Sequence, residues 1–572
     1  MVFRERTRVS GHPSEGDTGS HPRAVDELPM AFVGGMVAPA RRLAMAAWGA
    51  RPLWLRTLLR ISAIVGALIA VLLPASLGRF IDGDEGYLLM AARLISEGHV
   101  PYRDFFLPQG PLLPFCFGSF FRLVGPSWLG ARLLAALIAV AMGFLVYCEA
   151  QSATRKQSGG LIAAALFVGS GLTLGWLTIV KGYALSALCV LLAVWMAGIL
   201  ARSDEKAGRI PRYDLLLAAA SGLAIGLATS TRLYAVFVMP VIGIYLVART
   251  GWNRRRSRRL VAYGLGCALG LLPLLLSYAV APEAFVFDTL LYHGISGGQR
   301  ASLFGDLAHN GPVVLKSLGL AAKPYVGSGQ VLALCVFALV AMIVRWLRMR
   351  RRAVSATVAI WPVLLGASTL PRFVHPQYLC LVIPFLAIEA GIALAAVASW
   401  QLRADGRRWP VGVVLVLVCL GYYGASGWSE RDRYLHTGYG VNGVWSPQHA
   451  REWRIDTVVA VEKEIDAQGI AVAASWWPGY FVATRTSVLP ELANDFGLLA
   501  AEVLTPEERQ RFHVVSQAQV GNMIRAGLPR LFVEGNWAPA SWTALLPRCG
   551  YKLQGTVHNV RLWTAGRLLS CE

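Results

Sequence analysis

Apolar runs of about 20 residues recur along this chain of 572 residues, and each is long enough for a helix to cross a hydrocarbon core of about 30 Å. They fall at approximately 60–78, 131–150, 159–180, 182–201, 214–230, 233–249, 260–281, 330–347, 353–370, 378–398 and 410–427, which predicts about eleven transmembrane helices. Composition agrees: 55% of residues are hydrophobic, 15% are charged, and mean hydropathy is +0.50. A soluble chain of this length would need more polar surface. The expected class is a polytopic α-helical membrane protein.

The net charge of +21 raises nucleic acid as a partner, but its distribution argues against it. Basic residues cluster between apolar runs, as in Arg155/Lys156, "NRRRSRR" (Asn253 to Arg259) and "RWLRMRRR" (Arg345 to Arg352), and alternate loops carry these clusters. That is the positive-inside pattern, with solvated anchors that orient helices toward the cytoplasm. It places residues 1–59 inside as a partly disordered tail. The Asp84 segment, the loop from Pro282 to Gln330, the "LPRFVHPQ" turn and the C-terminal region all fall outside. The expected location is the cytoplasmic membrane, with membrane lipids as neighbours and no nucleic acid. The first strong apolar run is long enough to remain as an anchor, so no cleaved signal peptide is expected.

Residues 60–427 therefore read as a transmembrane domain with outer loops at 79–130 and 282–329. Residues 428–572 are too long and too polar for a linker. There the helical stretch Ala450 to Gln468 alternates with β-rich runs at Gly469 to Trp477, Pro529 to Asn536 and Thr556 to Trp563, which predicts a small extracytoplasmic α/β domain. No GxGxxG loop opens a helix in it, so no nucleotide site is expected. Most of the nine cysteines lie singly in apolar runs; Cys549 and Cys571 lie in the polar region and are candidates for pairing outside the cytoplasm.

The segment "RFIDGDEGYLLMAARL" (Arg79 to Leu94) sets Asp82, Asp84 and Glu85 where the first apolar run stops. One aspartate suffices to cap the helix that follows. Three carboxylates at a low-dielectric boundary repel one another, and this favours a functional site. Leu88, Ala91, Leu94 and Ile95 recur at helical spacing, with Arg93 and Glu97 off that stripe, so an amphipathic helix in the interface plane is expected. Asp82-Gly83-Asp84 spells the DxD of soluble nucleotide-sugar enzymes, but that motif needs a cytoplasmic α/β domain and here lies outside. Asp288, His293, Asp306 and His309 in the second outer loop follow no ligand spacing, so no metal site is expected.

"IDGDEGYLLMAARLISEGHVPYRDFFLPQGPL" resembles the first outer loop of membrane glycosyltransferases of the GT-C fold, close to protein O-mannosyltransferases, the lipid A aminoarabinose transferase and Rgt-like bacterial enzymes. "GLAIGLATSTRLYAVFVMP" (Gly222 to Pro240) resembles a further stretch of that family, with Arg232 in place of its lysine. "LPRFVHPQYLCLVIPFLAIEAG" (Leu370 to Gly391) resembles a third. The resemblance implies inverting transfer of a hexosyl or pentosyl group from a polyprenyl-phosphate-linked sugar to a lipid, glycan or protein acceptor, with no cofactor required. Asp84 matches the family's aspartate and would be the general base, with Glu85 the second catalytic carboxylate and Asp82 a cap. Arg232, Arg372 and Tyr378 match positions that would bind donor phosphate or sugar, with His375 and Lys181 beside them. The C-terminal domain would cover the site or help select the acceptor.

Two departures stand out. "PQGP" offers Gln109 and Gly110 where some members carry a basic residue, and "IVKGYAL" has no carboxylate where several carry a second aspartate at the start of the fourth helix. A membrane transporter is the alternative from another class. It would place polar groups at mid-membrane in internally repeated halves, and neither feature is visible. A non-catalytic envelope-assembly protein of the same fold is a third reading.

Overall fold

A computed structural model describes residues 52–205, 213–247, 254–296, 299–300, 328–348, 356–368, 376–404, 407–438, 450–535 and 538–566. Arg372, His375, Asp306, His309 and Cys571 lie outside the described residues.

Apolar helices stand at every expected run. They are α1 (Leu53–Gly78), α4 (Trp128–Thr154), α5 (Gln157–Val168), α6 (Gly182–Glu205), α7 (Asp214–Thr231), α8 (Val238–Val247), the pair α9 (Arg254–Gly270) and α10 (Leu272–Val280), α11 (Ser328–Arg348), α12 (Ala356–Ala367), α13 (Ile383–Val397) and α14 (Val411–Ser426). Among the described residues, five helices are long and apolar enough to cross a membrane alone, and α9–α10, bent by 44°, adds a sixth. The remaining apolar helices run 10–17 residues. The protein is a multi-pass membrane protein.

Close crossings hold this bundle together. Gly222 and Gly226 on α7 face Gly266 and Gly270 on α9, and a Cβ on Gly222 would overlap the Tyr263 carbonyl. Small residues four apart on both helices let the backbones meet, the device that replaces hydrophobic driving force in lipid. At the other end of these helices, Arg259 is buried between Asp204 and Asp214 (Nη1–Oδ2 2.6 Å to Asp204; Nε–Oδ1 2.8 Å to Asp214), and Arg255 also reaches Asp214. Part of the "NRRRSRR" cluster is therefore a packed ion network, where solvated anchors were expected.

The expected helix over 159–180 stops at Val168, and the chain continues irregularly to Lys181 through a π-turn at Thr173–Leu177. Freed backbone groups in lipid need partners. The Gln330 side chain supplies them, accepting from Gly171 N (2.8 Å) and donating to the carbonyls of Gly169 (3.0 Å) and Tyr423 (2.7 Å).

Between α1 and α4 lie α2 (Gly83–Glu97) and α3 (Leu112–Val124). Here the expectation of an interfacial amphipathic helix is corrected. In α2 Gly83 and every residue from Glu85 to Ile95 are buried, including Arg93. The cause is the C-terminal region. Arg93 donates to the Phe481 carbonyl, Trp477 Nε1 donates to Gly83 O (2.8 Å), and a Cβ on Gly86 would overlap the Trp477 indole. Trp128 Nε1 adds a bond to Gly479 O (3.2 Å).

That region contains helix α15 (Ile455–Ala467), the short helix α16 (Asp495–Ala501), and a five-stranded sheet. Its strands are β1 (Val472–Ser475), β2 (Ser487–Val488), β3 (Leu531–Glu534), β4 (Tyr551–Val557) and β5 (Val560–Ala565), in the order β2-β1-β3-β5-β4. β1 pairs in parallel with β2 and β3, and the β4–β5 hairpin adds antiparallel to β3. The run Thr556 to Trp563, expected to be β-rich, contains the turn of the β4–β5 hairpin, with His558 at φ 52°. Cys549 is disulfide-bonded.

Candidate active site

The DGDE segment becomes a site because the first turn of α2 fixes its carboxylates in different environments. Asp82 is the N-cap: its side chain accepts from Asp84 N (3.1 Å), and the Glu85 side chain reaches back to Asp82 N (3.0 Å), forming a capping box. Cap substitution costs about 1 kcal/mol in an ordinary helix, yet here both capping carboxylates do more.

Glu85 is fully buried. Its oxygens accept two bonds from Arg132 of α4 (2.8 and 2.6 Å) and one from Val180 N (3.0 Å). Arg132 in turn donates to the carbonyls of Ser76 and Arg79, at the end of α1. A bidentate carboxylate–guanidinium pair sealed this way is geometrically fixed. It ties α1, α2, α4 and the irregular segment before Lys181 at one point.

Lys181 Nζ sits between the other two carboxylates, 2.7 Å from Asp82 Oδ1 and 2.9 Å from Asp84 Oδ2. It occupies the place a bridging cation would take in a DxD motif. The Lys181 side chain is 2% exposed and lies 4.5 Å from the Trp176 ring centroid. Arg79 completes the cluster: its Nη2 is 3.8 Å from Asp82 Oδ2, its Nε donates to Gly175 O (2.6 Å), and its guanidinium lies against Trp176 and Tyr434.

The two aspartates differ in consequence. Burial alone would raise both carboxyls. For Asp82, Lys181 and Arg79 outweigh burial and hold the group below its ordinary range. For Asp84, burial together with the Asp82 charge outweighs Lys181, and the group is raised. Burial also opposes charge on Lys181, but the two carboxylates keep its ammonium raised. Asp84 is the accessible member, with 18% of its side chain exposed against 0% for Asp82. A raised, accessible carboxylate held in place by a cation is a competent proton acceptor.

Arg232, at the C-terminal end of α7, lies 4.2 Å over the Tyr183 ring, and its charge acts on Asp84. Among the described residues its buried Nε has no hydrogen-bond partner, and no carboxylate lies within ion-pair distance of its guanidinium. Tyr87, Tyr234 and Tyr378 surround it within charge range, and Tyr183 and Tyr378 have ring centroids 6.3 Å apart. The "PQGP" loop meets this group. Gln109 donates to Tyr87 Oη, Tyr102 Oη donates to Gln109 O (2.6 Å), and Gly110 lies against the Ser230 carbonyl with no room for a side chain.

Asp84, Lys181, Arg232 and Tyr378 are thus brought together, with Glu85 buried behind them. Sequence reasoning missed Asp495, at the start of α16. It is buried, and the charge of Asp84 acts on it. Its neighbour Phe496 packs edge-on to Tyr87 (5.4 Å) and Tyr292 (6.4 Å). In the sequence it sits in "LANDFG", where Asn-Asp signals only a helix start. In the second outer loop, Asp288 is fully buried and accepts from Leu107 N (2.8 Å), so it pins the first outer loop.

Residues 108–278 match the family model of dolichyl-phosphate-mannose-protein mannosyltransferases. No curated protein matches the chain in sequence. Among solved structures, ArnT from Cupriavidus metallidurans in the apo state is similar with a TM-score of 0.57 at 16% identity, covering 88% of this chain and 98% of that one. ArnT from the same organism bound to undecaprenyl phosphate is similar at 0.55 and 15% identity, covering 88% and 99%. The apo oligosaccharyltransferase of Archaeoglobus fulgidus scores 0.48 at 12% identity, covering 89% and 74%. The chain has the GT-C fold, and the resemblance drawn from its motifs holds.

Proposed function

We propose that this chain, with its GT-C membrane-glycosyltransferase fold, moves a sugar from a polyprenyl-phosphate donor to an envelope acceptor with inversion at the anomeric carbon. Asp84 is the general base for the acceptor hydroxyl, held in place by Lys181, and Arg232 holds the departing phosphate. The observation that carries the reading is the pairing of a raised, accessible carboxylate with an arginine that has no counter-ion among the described residues. A lipid phosphate needs no proton to leave; it needs cations where its charge develops, and a guanidinium supplies a planar fork for its oxygens. Support for the donor class comes from a structure of the same fold solved with undecaprenyl phosphate.

Glu85 positions α2 through Arg132 and does not touch the acceptor, since it is fully buried and its oxygens are occupied. Arg372 and His375 remain candidates for the donor side from the sequence resemblance. The site faces outward from the cytoplasmic membrane. The alternation of basic loops supports this side, as does a disulfide at Cys549, which suits an oxidising compartment.

The test is transfer of radiolabelled sugar from undecaprenyl-phosphate-linked hexoses and pentoses to membrane acceptors, comparing wild type with Asp84→Asn. Loss of a general base lowers the rate by about 10²–10⁴-fold. A folded Asp84→Asn protein with full activity overturns the assignment of the base. A wild type that transfers no sugar but moves a solute in proteoliposomes overturns the transferase reading.

A further inference from the structure

A further buried carboxylate reaches the site from the C-terminal region, and neither the cap, the cation cluster nor the fixed pair accounts for it. Asp495 is 8% exposed, and among the described residues its Oδ1 has no hydrogen-bond partner. The neighbouring Asn494 side chain accepts from Phe496 N (3.0 Å), while its Nδ2 is also buried with no partner among the described residues. Two unmatched polar atoms on adjacent side chains are costly unless something binds there. Their surroundings are those of the site. Phe496 packs on Tyr87 of α2 and Tyr292 of the second outer loop, and the charges of Asp84 and Asp82 act on Asp495. No cation is paired with Asp495 among the described residues, in contrast to Asp82, Asp84 and Glu85.

We infer that Asp495 binds a sugar hydroxyl as a neutral carboxyl, donating a hydrogen bond with its own proton, and that Asn494 supplies an amide donor beside it. This rests on the transferase reading and deepens it, by assigning a sugar-recognition role to the C-terminal region. The chemical logic is that a buried acid without a cation, facing other carboxylates, keeps its proton. Burial, with the charge of Asp84 adding to it, pushes the group up to about 8. A protonated acid can donate to a sugar oxygen, which an ionised one cannot. The tyrosines and Phe496 supply apolar faces for the ring. The donor's sugar and an acceptor sugar share this chemistry, and kinetics separate them.

The test uses the full-length protein in detergent with radiolabelled undecaprenyl-phosphate mannose, glucose, galactose and arabinofuranose as donors. Wild type, Asp495→Asn and Asp495→Leu are compared across pH. Asparagine keeps a donor at this position, so Asp495→Asn retains transfer within about threefold and no longer loses activity as pH rises through about 8. Asp495→Leu loses transfer at least about tenfold. The loss falls on the KM for donor if the contact is to the transferred sugar, and on the KM for acceptor otherwise. Undecaprenyl phosphate affinity stays unchanged in both variants. Equal inactivation of folded Asp495→Asn and Asp495→Leu overturns the inference, because an ionised carboxylate would then be required. Full activity of Asp495→Leu overturns it as well, because no contact would exist. In both cases the transferase reading stands on wild-type transfer. Absence of transfer by wild type removes both.

Discussion

The arrangement around Asp84 makes a prediction with a sign. As a general base Asp84 must be ionised, so transfer falls on the acid side of its pKa. Burial and Asp82 raise that pKa, while Lys181 lowers it. Asp82→Asn removes the neighbouring negative charge and leaves Lys181 to Asp84 alone, so the acid limb of the rate profile moves to lower pH. Lys181→Met removes a cation 2.9 Å from the Asp84 carboxylate, so the limb moves to higher pH. Two unit charges about 4 Å apart interact by about 4 kcal/mol at an effective dielectric of about 20, and one pH unit corresponds to about 1.4 kcal/mol. The 18% exposure of Asp84 and relaxation around the new side chain screen much of this. A shift of at least about one pH unit remains, about tenfold in rate at a fixed pH on that limb. The assay is the initial rate of transfer from radiolabelled undecaprenyl-phosphate sugar at saturating donor, across the acid and neutral range. Lys181→Met also leaves Asp84 without its ion-pair partner and Asp82 with Arg79 alone, a cost of up to about 3–5 kcal/mol, so its folding is checked by thermal melt. Asp82→Asn is the safer partner, because asparagine caps a helix as well as aspartate. If both folded variants move the limb in the same direction, or neither moves it, Asp84 is not the group whose ionisation limits the rate.

Three further outcomes follow from separate contacts. Arg232→Gln lowers transfer by about 10²–10³-fold and weakens undecaprenyl phosphate binding, and Arg232→Lys recovers only part, because an ammonium lacks the planar fork; single-turnover rates and a lipid-binding titration check this. Gly86→Val forces the Trp477 indole away from α2 and costs about 1–3 kcal/mol, read as a lower melting temperature and faster proteolysis of the C-terminal region, while Gly264→Ala, with open space around its Cβ, leaves that docking intact. Glu462, buried and accepting from Ala483 N (2.7 Å), is raised to about 8 by burial. Its contribution to stability is complete below the unfolded carboxyl's pKa of about 4.3 and is lost as pH rises through the folded value, at up to about 1.4 kcal/mol per pH unit. Glu462→Gln therefore flattens the fall in melting temperature from weakly acid to weakly alkaline pH.

What could be read from the sequence, and what could not, divides along the range of the forces involved. Helix positions follow from contiguous apolar residues, so each expected run carries a helix. The cap at Asp82 is equally local, needing only the next three residues. The break at Gly169 was missed because its compensation comes from Gln330, on a helix far along the chain. Burial of α2 was missed for the same reason: its polar face reads as solvent-facing until Trp477 and Phe481 cover it. The hairpin turn at His558-Asn559 was locally legible, since Asn there favours a tight turn, and the β-rich run around it masked that signal.

The site shows the same division in its charges. Asp84 stood out as an anomaly at a membrane boundary, and Lys181 and Arg232 as cations at helix ends, because isolated charge in an apolar sequence is conspicuous. Which charge meets which was not legible. Lys181 is bound to both aspartates and Arg132 to Glu85, while Arg232 meets no carboxylate among the described residues. That allocation decides the chemistry. A cluster in which every cation is matched is a structural network, like that of Arg259 with Asp204 and Asp214. A cluster that leaves one arginine unmatched beside one accessible carboxylate keeps a positive and a negative position for a ligand that brings both a phosphate and an acidic proton. A lipid-phosphate sugar meeting an acceptor hydroxyl brings both. Arg232 is therefore the decisive residue: a partner carboxylate placed against it, for example by Tyr183→Glu, would close the positive position and abolish undecaprenyl phosphate binding while leaving Asp84 and Lys181 paired. Retention of full lipid-phosphate affinity in that folded variant would show that the phosphate is held elsewhere.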